Sequence, residues 1–238
     1  MKAMLLAAGF GTRLKPFTDK HPKALAMING KSLLQRNIEF LQQFDIFEVV
    51  VNVHHFASQI SEEIHRNNGW GSNFAISDET DAVLETGGGL KRAQFFFEKE
   101  NQFVLMNVDV LTDLNLKAMI VAHAKNKSMA TLATTSRKSS RSLLFNEENI
   151  LCGWKNLKTG ETKISQQSKT LIPKAFSGIH ILNHEIFTYL PAFKKFSIID
   201  TYLEWCSQLE IRSFDHSGGK FIDVGTTEKM SEAEELFH

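Results

Sequence analysis

Short apolar runs alternate with amphipathic stretches through the first half of the chain. The runs Ala3–Ala8, Glu48–Val53 and Phe103–Asn107 have the length and the apolar side chains that are typical of buried parallel strands. Between them, Ser32–Phe44 and Ser58–Asn67 carry apolar residues near helical spacing. Strands that alternate with helices in this way predict βαβ units.

Parallel strands joined by helices use right-handed crossovers, so these units predict an α/β fold with one sheet and helices on both faces. Ligands of such sheets bind beyond the carboxyl ends of the strands. The same pattern predicts further elements along the chain. They are strands at Asn73–Ser77, Met129–Thr135 and Ala175–Leu182, and helices at Gly89–Glu100, Leu114–Lys125, Ile198–Leu209 and Ser231–Phe237.

The second half of the chain has a different character. Its segment Arg137–Lys169 is polar and rich in turn-forming residues, which predicts hairpins rather than further βαβ units. No linker, internal repeat or low-complexity segment interrupts the sequence. We therefore expect a single domain over residues 1–238, with one lobe over residues 1–111 and a second over residues 112–238.

Composition narrows the classes of protein that need to be considered. The 238 residues are 42% hydrophobic and 23% charged, which fits an ordinary globular protein and excludes disorder, collagen and membrane spans. The 27 basic residues balance 27 acidic ones, so no excess charge indicates a nucleic-acid or membrane surface. Because Cys152 and Cys206 lack CxxC spacing, we expect no disulfide framework, no zinc site and a cytoplasmic location.

A loop with two glycines follows the first strand. Gly9 and Gly11 let backbone amides approach a ligand closely, and Arg13 and Lys23 add positive charge, a combination that suits a polyphosphate. A dinucleotide fingerprint would need its third glycine at Leu14 and a helix at once, and a Walker-type loop would need Gly-Lys-Ser/Thr. An NAD(P)-dependent oxidoreductase is therefore a remote alternative.

The residues of this loop resemble a known signature. LLAAGFGTRL, followed by HPKAL, is similar to the pattern G-x-G-T-R-x-x-P-x-T-x-x-x-P-K of the sugar-1-phosphate nucleotidylyltransferases. The resemblance continues in the same order through ETGGGL at Glu85–Leu90, Asn107–Asp109, FSGIHIL at Phe176–Leu182 and DVGT at Asp223–Thr226. It therefore covers nearly the whole chain.

The resemblance implies a Rossmann-like mixed, mostly parallel sheet flanked by helices, of the nucleotide-diphospho-sugar transferase type, with a sugar-binding lobe. Residues 1–111 would mainly bind the nucleotide and residues 112–238 mainly the sugar phosphate. The implied reaction joins a nucleoside triphosphate and a sugar 1-phosphate by in-line attack on the α-phosphorus, and releases an NDP-sugar and pyrophosphate. Such a reaction needs positioning and charge neutralisation rather than a covalent nucleophile.

The same resemblance implies that Arg13, Lys23 and Asp109 are catalytic. Arg13 would stabilise charge on the transferring phosphate and on pyrophosphate, and Lys23 would hold the sugar phosphate and the α-phosphate. The implied nucleotide-binding residues are Ala8, Gly9, Gly11, Thr12, Arg13, Thr86, Gly87 and Gly88. The implied substrate-binding residues are Lys23, Asn107, Glu161 and Gly178.

Asp109 and Asp223 are the candidate ligands of a magnesium ion. Each ends a strand-like run, and Mg²⁺ usually takes only one or two carboxylates from a protein. An isolated Asp in such a place is more often a turn former or a helix cap, but the motif order favours a metal. The usual Asn-Gly-Asp reads Asn107-Val108-Asp109 here, and valine does not easily adopt positive φ. The conformation of this loop is therefore open.

The base and the sugar are also open. The ETGGG variant and the short chain resemble the N-acetylmuramate-1-phosphate uridylyltransferases, and mannose- or heptose-1-phosphate guanylyltransferases are close rivals. Glu79 and Asp81 favour guanine, because a carboxylate accepts the paired donors of guanine but not those of uracil. A catalytically silent sugar-nucleotide sensor is a further alternative, which the retention of the basic and acidic motif residues opposes.

Three other residues attract attention without a strong signal. His54 and His55 follow a strand, but no third metal ligand stands at a recognisable spacing, so we interpret them as loop residues near the nucleotide. We expect Trp154 to anchor a hairpin rather than to pack against a sugar ring. The sequence makes no prediction of the oligomeric state.

Overall fold

Strands and helices alternate along residues 1–192 and 195–238, the part of the chain that the computed structural model describes. Its α-helices are α1 (Leu33–Gln42), α2 (Ala57–Arg66), α3 (Glu85–Arg92), α4 (Leu116–Asn126), α5 (Ile198–Trp205) and α6 (Thr227–Leu236). The first strands are β1 (Lys2–Leu6), β2 (Met27–Ile28), β3 (Lys31–Ser32), β4 (Glu48–Val53), β5 (Asn73–Asp78), β6 (Gln102–Asn107) and β7 (Val110–Thr112). The later strands are β8 (Ala130–Thr135), β9 (Arg141–Phe145), β10 (Leu151–Asn156), β11 (Thr162–Ile164), β12 (Ile172–Asn183), β13 (Ile211–Asp215) and β14 (Phe221–Asp223).

Ten strands form the main sheet, in the order β11-β10-β9-β12-β6-β1-β4-β5, with β8 paired to β12 and β13 paired to β8 outside this order. The strands β6, β1, β4 and β5 run parallel, whereas β12 runs antiparallel to β6, β8 and β9. The strands β9, β10 and β11 form the expected antiparallel hairpins. The predicted α/β class, with a mixed sheet flanked by helices, is confirmed.

Alternate residues of the central strands pack on opposite faces of the sheet. Leu5 and Val51 belong to an apolar cluster with α1 and α2, whereas Met4 and Val50 belong to a second cluster with α3 and α5. Because both faces are buried, these strands read as continuous apolar runs in the sequence. The helices are thereby fixed on both sides of the parallel strands. The carboxyl ends of these strands stay open for a site.

A third, smaller apolar cluster joins the glycine loop to the end of the chain. Leu14 of the loop packs with Ile222 and Val224, at β14, and with Ala233 of α6. This contact holds the loop against β14. It thereby places Arg13, the neighbour of Leu14, beside the residues that follow β14.

Two predicted helices begin four residues before their predicted start: α6 begins at Thr227 rather than at Ser231, and α3 is the other. The structure starts α3 at Glu85 rather than at Gly89 and ends it at Arg92, and Gln94–Phe97 is a 3₁₀ helix. The glycines of ETGGG lie within the first turns, where the carbonyl of Phe196 accepts hydrogen bonds from the amides of Gly87 and Gly88. Local periodicity cannot predict a helix cap that comes from the other half of the chain.

Two pairings are absent from the sequence prediction. The strand β13 lies parallel to β8, and its pattern of one buried and four more exposed residues gives no apolar run. The short strand β14 pairs antiparallel with β7 and sets Asp223 opposite Val110, next to Asp109. Within the described residues, no helix has the length and apolar character to cross a membrane. The division of roles at residue 111 stays a prediction.

Candidate active site

The glycine loop leaves β1 and turns back over the carboxyl ends of the parallel strands. The amide of Ala7 donates to Asn52 Oδ1 on β4 over 2.7 Å, which fixes where the loop begins. Gly11 has a φ of 60°, and a Cβ there would lie 2.9 Å from Thr18 Cγ2 and 3.0 Å from Lys23 Cβ. Glycine is therefore required for both the backbone conformation and the close approach of the Lys23 segment.

Lys23 and Asp109 form an ion pair at the centre of the site. Lys23 is buried, with 9% of its surface exposed, and its ammonium reaches from the loop to the carboxylate that follows β6. The backbone carbonyl of Asp109 accepts a hydrogen bond from the amide of Val224 over 2.8 Å. The aspartate is thus held from two sides by segments far apart in the sequence.

Asp223 lies next to this pair at the end of β14. Partial enclosure by protein raises the pKa of its carboxyl group, and the charge of Asp109 raises it further, against the lowering effect of Lys23, Arg13 and Arg137. A Cβ on Gly225 would lie 2.9 Å from Arg13 Nη2 and 3.1 Å from Asp223 Oδ1, so the glycine lets both side chains approach the backbone closely. Two carboxylates are therefore brought together among three cations.

Two cavities open on either side of this charged cluster. The strand-end cavity, of about 260 Å³, is lined at the carboxyl ends of β1, β4 and β6 by the glycine loop and by residues of α3. The lobe cavity, of about 580 Å³, lies between β9–β12 and α5. Asn107 lines both cavities, so the two spaces meet at the residue before the Val108-Asp109 pair.

The structure brings most of the predicted site residues to these cavities. The strand-end cavity is lined by Ala8, Gly9, Lys23, Thr86, Asn107 and Asp109. The lobe cavity is lined by Asn107, Glu161, Gly178 and Asp223. The predicted residues that line neither cavity are Gly11, Thr12, Arg13, Gly87 and Gly88.

Gly87 and Gly88 have a role that the sequence did not reveal. Their amides donate to the carbonyl of Phe196, over 3.0 and 3.3 Å, and therefore cap α3 internally. A Cβ on Gly87 would also collide with the ring of Phe196. In the structure these glycines allow α3 to pack closely against the start of α5. Their contact with a nucleotide stays a prediction.

The backbone conformation and the packing around Gly178 both require a glycine at this position. Its φ is 74°, at the irregular register of β12, and a Cβ would lie 2.8 Å from Asn107 Nδ2 and 3.0 Å from Val110 Cγ2. The group that approaches the backbone here is the side chain of Asn107, and contact of Gly178 with a substrate stays a prediction. This packing places Asn107 between the two cavities.

Val108 fits the loop at the position where the motif that the sequence resembles has glycine. It is not among the residues with positive φ, and its side chain is buried in the cluster beside α1. Asn37 of α1 donates to the carbonyl of Val108 over 2.8 Å, and the amide of Val108 donates to Leu6 O over 3.2 Å. The valine is therefore compatible with an ordered Asp109.

Asn52 and Arg137 were not predicted as site residues, and Glu79 was considered only as a carboxylate that favours guanine. Asn52 Nδ2 donates to Glu79 Oε1 over 2.7 Å, and both side chains line the strand-end cavity. Burial raises the pKa of Glu79, although the hydrogen bond from Asn52 lowers it. Arg137 lines the lobe cavity, donates to Phe176 O over 2.6 Å and lies 4.2 Å above the ring of Phe221. An Asn or Arg near a strand end carries no motif of its own.

The far end of the lobe cavity combines an aromatic ring with opposite charges. Glu161 and Lys163 lie 4.0 Å apart, and the Lys163 ammonium is 5.8 Å from the ring centre of Trp154. All three residues line the cavity. Trp154 therefore faces an open space as well as anchoring its hairpin.

The paired histidines lie beside Phe10, which lines the strand-end cavity. The ring of Phe10 meets those of His54 and His55 at 5.5 and 5.8 Å between centres, and His54 Nδ1 lies 2.6 Å from Glu79 O. The described residues contain no group of three or more His, Cys, Asp or Glu side chains arranged to hold a metal ion. The interpretation of the histidines as loop residues near the site agrees with these positions.

The chain matches known proteins over most of its length. Residues 2–143 match the nucleotidyl transferase family. A UTP–glucose-1-phosphate uridylyltransferase of Synechocystis is 30% identical over 83% of this chain, and an N-acetylmuramate alpha-1-phosphate uridylyltransferase of Caulobacter vibrioides is 30% identical over 81%. A mannose-1-phosphate guanyltransferase of Yarrowia lipolytica is 27% identical over 94%. The match covers 53%, 83% and 61% of these relatives, respectively.

The fold has close relatives among solved structures. The crystal structure of HddC from Yersinia pseudotuberculosis superposes with a TM-score of 0.81, over 100% of this chain and 99% of that one, at 24% identity. At this level of identity the likeness concerns the fold. It agrees with the sheet order and the flanking helices described above.

Proposed function

The chain belongs to the nucleotidyl transferase family of sugar-1-phosphate nucleotidyltransferases, and from this premise we propose that it joins a nucleoside triphosphate and a sugar 1-phosphate, giving an NDP-sugar and pyrophosphate. The observation that carries the proposal is the position of Lys23, Asp109 and Asp223 between two cavities. The strand-end cavity would hold the nucleoside, and the lobe cavity would hold the sugar. Their phosphates would then meet at the charged cluster.

A divalent cation fits this cluster. Asp223 has a raised pKa because it is partly enclosed and lies near Asp109, and this repulsion between carboxylates favours a bound cation. Two carboxylates suit Mg²⁺, which keeps waters and takes substrate phosphates as its other ligands. Asp109 and Asp223 would hold it. When bound, the ion would neutralise phosphate charge and orient the α-phosphate.

The residues of the chain itself would position the reactants and balance their charge. The ammonium of Lys23, fixed by Asp109 and shielded from bulk water, would sit where the sugar phosphate meets the α-phosphate. Arg13, placed beside Gly225 and Asp223, would oppose the charge of the leaving pyrophosphate. A fixed cation in a site of low dielectric stabilises charge on transferring phosphates without reorganisation.

We propose a uridylyltransferase that uses N-acetylmuramate 1-phosphate as the first candidate. Its support is the relative from Caulobacter vibrioides, of which the chain spans 83% at 30% identity. The support for the sugar comes from the lining of the lobe cavity. It offers the ring of Trp154 and charges of both signs in Arg137, Glu161 and Lys163. Such a wall suits a polar sugar with an ionic substituent.

A guanylyltransferase is the second candidate, because Glu79 is buried and lines the strand-end cavity. A carboxylate there can accept the two adjacent N–H donors of guanine, whereas uracil offers one N–H between two carbonyls. Glu79 is held by Asn52, so its oxygens have a fixed direction. A mannose- or heptose-1-phosphate substrate would accompany this base.

The test is pyrophosphate release with Mg²⁺ from UTP, dTTP, GTP, CTP and ATP, each paired with N-acetylmuramate, mannose, heptose or glucose 1-phosphate. We expect one nucleotide and one sugar to give turnover, and Asp109→Asn to abolish it. Asp113→Asn is the matched control, since Asp113 lines neither cavity. Nucleotide binding without pyrophosphate release from any pair would support a sensor instead. The proposed setting is the cytoplasm, in keeping with two buried free thiols, Cys152 and Cys206.

A further inference from the structure

Two helix N-termini, one from each lobe, cap one another between the two cavities. The first amides of a helix have no partner within that helix. At the start of α3, Gly87 and Gly88 donate to the carbonyl of Phe196, over 3.0 and 3.3 Å. At the start of α5, Ile198 donates its amide to Thr86 Oγ1 over 3.0 Å. The start of each helix is therefore capped by the segment at the start of the other.

Further contacts fix the two segments together. The amide of Phe196 donates to Leu84 O over 3.2 Å, and the ammonium of Lys195 lies 3.6 Å from the carboxylate of Glu85. A Cβ on Gly87 would lie 3.0 Å from the Ile198 amide nitrogen, so the glycine permits this close contact. The start of α5 cannot shift without disturbing the start of α3.

The two capped segments face different cavities. Glu85 and Thr86 line the strand-end cavity, whereas Ser197, Ile199 and Asp200 line the lobe cavity. The hydroxyl of Thr86 accepts the amide of Ile198 at the start of α5, whereas Glu85 contacts the same segment through its ion pair with Lys195. Thr86 therefore touches the space proposed for the nucleoside and fixes the wall of the space proposed for the sugar.

We propose that Thr86 is a positioning residue that couples the two substrate sites, an inference that rests on the proposed function. A nucleotide in the strand-end cavity would order Thr86, and Thr86 would hold the Ile198 amide and with it the wall formed by Ser197 and Asp200. Because the nucleotide would already have ordered that wall, the sugar phosphate would lose less conformational entropy on binding and would bind more tightly. The coupling is reciprocal, as any binding linkage must be.

The test measures the affinity of a sugar 1-phosphate by calorimetry with and without a non-reactive triphosphate. The probes are N-acetylmuramate 1-phosphate and mannose 1-phosphate, with the α,β-imido analogues of UTP and GTP and with Mg²⁺. In the wild-type chain we expect the analogue to raise the affinity for the sugar phosphate about fivefold or more. Thr86→Val keeps the shape and removes the hydroxyl acceptor, so the ratio should fall to about one.

Two further variants separate coupling from folding. Thr86→Ser retains the acceptor and should restore the ratio. Thr112→Val is the matched control, because the hydroxyl of Thr112 also accepts a backbone amide, that of Leu114 over 3.1 Å, and Thr112 lines neither cavity. It should lower the melting temperature without changing the ratio.

The outcomes distinguish this inference from the proposed function. Equal ratios in wild type and Thr86→Val, with both ligands bound, would overturn the coupling and leave the proposed function intact. Failure of the wild-type chain to bind any triphosphate analogue or sugar phosphate would overturn both. A ratio lost in Thr86→Val and regained in Thr86→Ser supports Thr86 as the link.

Discussion

Asn52 holds Glu79 and the start of the glycine loop at the same time. Its amide donates to Glu79 Oε1 and its carbonyl accepts from the amide of Ala7, each over 2.7 Å, and both side chains are at most 2% exposed. A carboxylate buried in this way is costly unless it is hydrogen-bonded or used. Asn52 provides one bond, and a ligand in the strand-end cavity would provide the other.

Glu79→Gln should change the choice of nucleotide. A glutamine accepts through one oxygen and donates through its nitrogen, which matches the N–H and carbonyl of uracil and opposes the paired donors of guanine. We expect the ratio of kcat/KM for UTP to that for GTP to rise about tenfold or more. The measurement is steady-state pyrophosphate release with both nucleotides.

The matched control for this change is Asp81→Asn. Asp81 also loses a charge, but it pairs with Arg92 at 2.6 Å, is 65% exposed and lines neither cavity. The nucleotide ratio should stay at the wild-type value in this variant. An unchanged ratio in Glu79→Gln as well would show that Glu79 does not contact the base.

Gly89→Ala should destabilise the protein through the same pair of residues. A Cβ at this position would lie 2.5 Å from Glu79 Oε1 and 2.9 Å from Asn52 Nδ2. Overpacking against buried, hydrogen-bonded groups costs about 1–3 kcal/mol, to be measured by urea unfolding. In the Glu79→Ala background the added methyl has room, so its cost there should be clearly smaller. Equal costs in both backgrounds would contradict the packing described here.

Asp223→Asn should lower activity and raise stability. Asp223 has a raised pKa because it is partly enclosed and close to Asp109, so its charge is unfavourable in the folded chain without a metal ion. We expect pyrophosphate release to fall about a hundredfold, and the melting temperature without Mg²⁺ to rise by about 2 °C.

Asp215→Asn is the comparison that should move stability the other way. Partial burial raises the pKa of Asp215, but hydrogen bonds from Ser217 and the bond and charge of Lys174 outweigh it, so the pKa is lowered overall. Its charge is favourable, and its removal should lower the melting temperature. A melting temperature of Asp223→Asn at or below the wild-type value would contradict the repulsion between the two site carboxylates.

The sequence predicted the parts of this molecule whose signal is local. The apolar runs identified the parallel strands, and the ordered motifs brought Lys23, Asp109 and Asp223 into one site. The cap of α3 by Phe196 was not predictable, because the two segments lie more than a hundred residues apart and neither carries a signature. The position of Arg137 was missed for the same physical reason.

His123 should make the stability of the fold depend on pH. It is buried on α4, its Nδ1 lies 2.8 Å from Thr131 Oγ1, and burial lowers its pKa from 6.5 to about 4. The unfolded chain therefore binds a proton at His123 below about pH 6.5, whereas the folded chain binds it only below about pH 4. The free energy of unfolding therefore decreases as the pH falls from 6.5 to about 4, and this group has no effect on it above that window. From about pH 7.5 to about pH 5, this one group should cost about 2 kcal/mol of unfolding free energy.

His123→Gln retains a hydrogen-bonding side chain without the titration and should lose correspondingly less stability over the same interval in urea unfolding. His65→Gln, on the exposed face of α2, controls for the loss of a histidine. If wild type and His123→Gln lose the same stability, the burial of His123 does not govern the acid sensitivity of this fold.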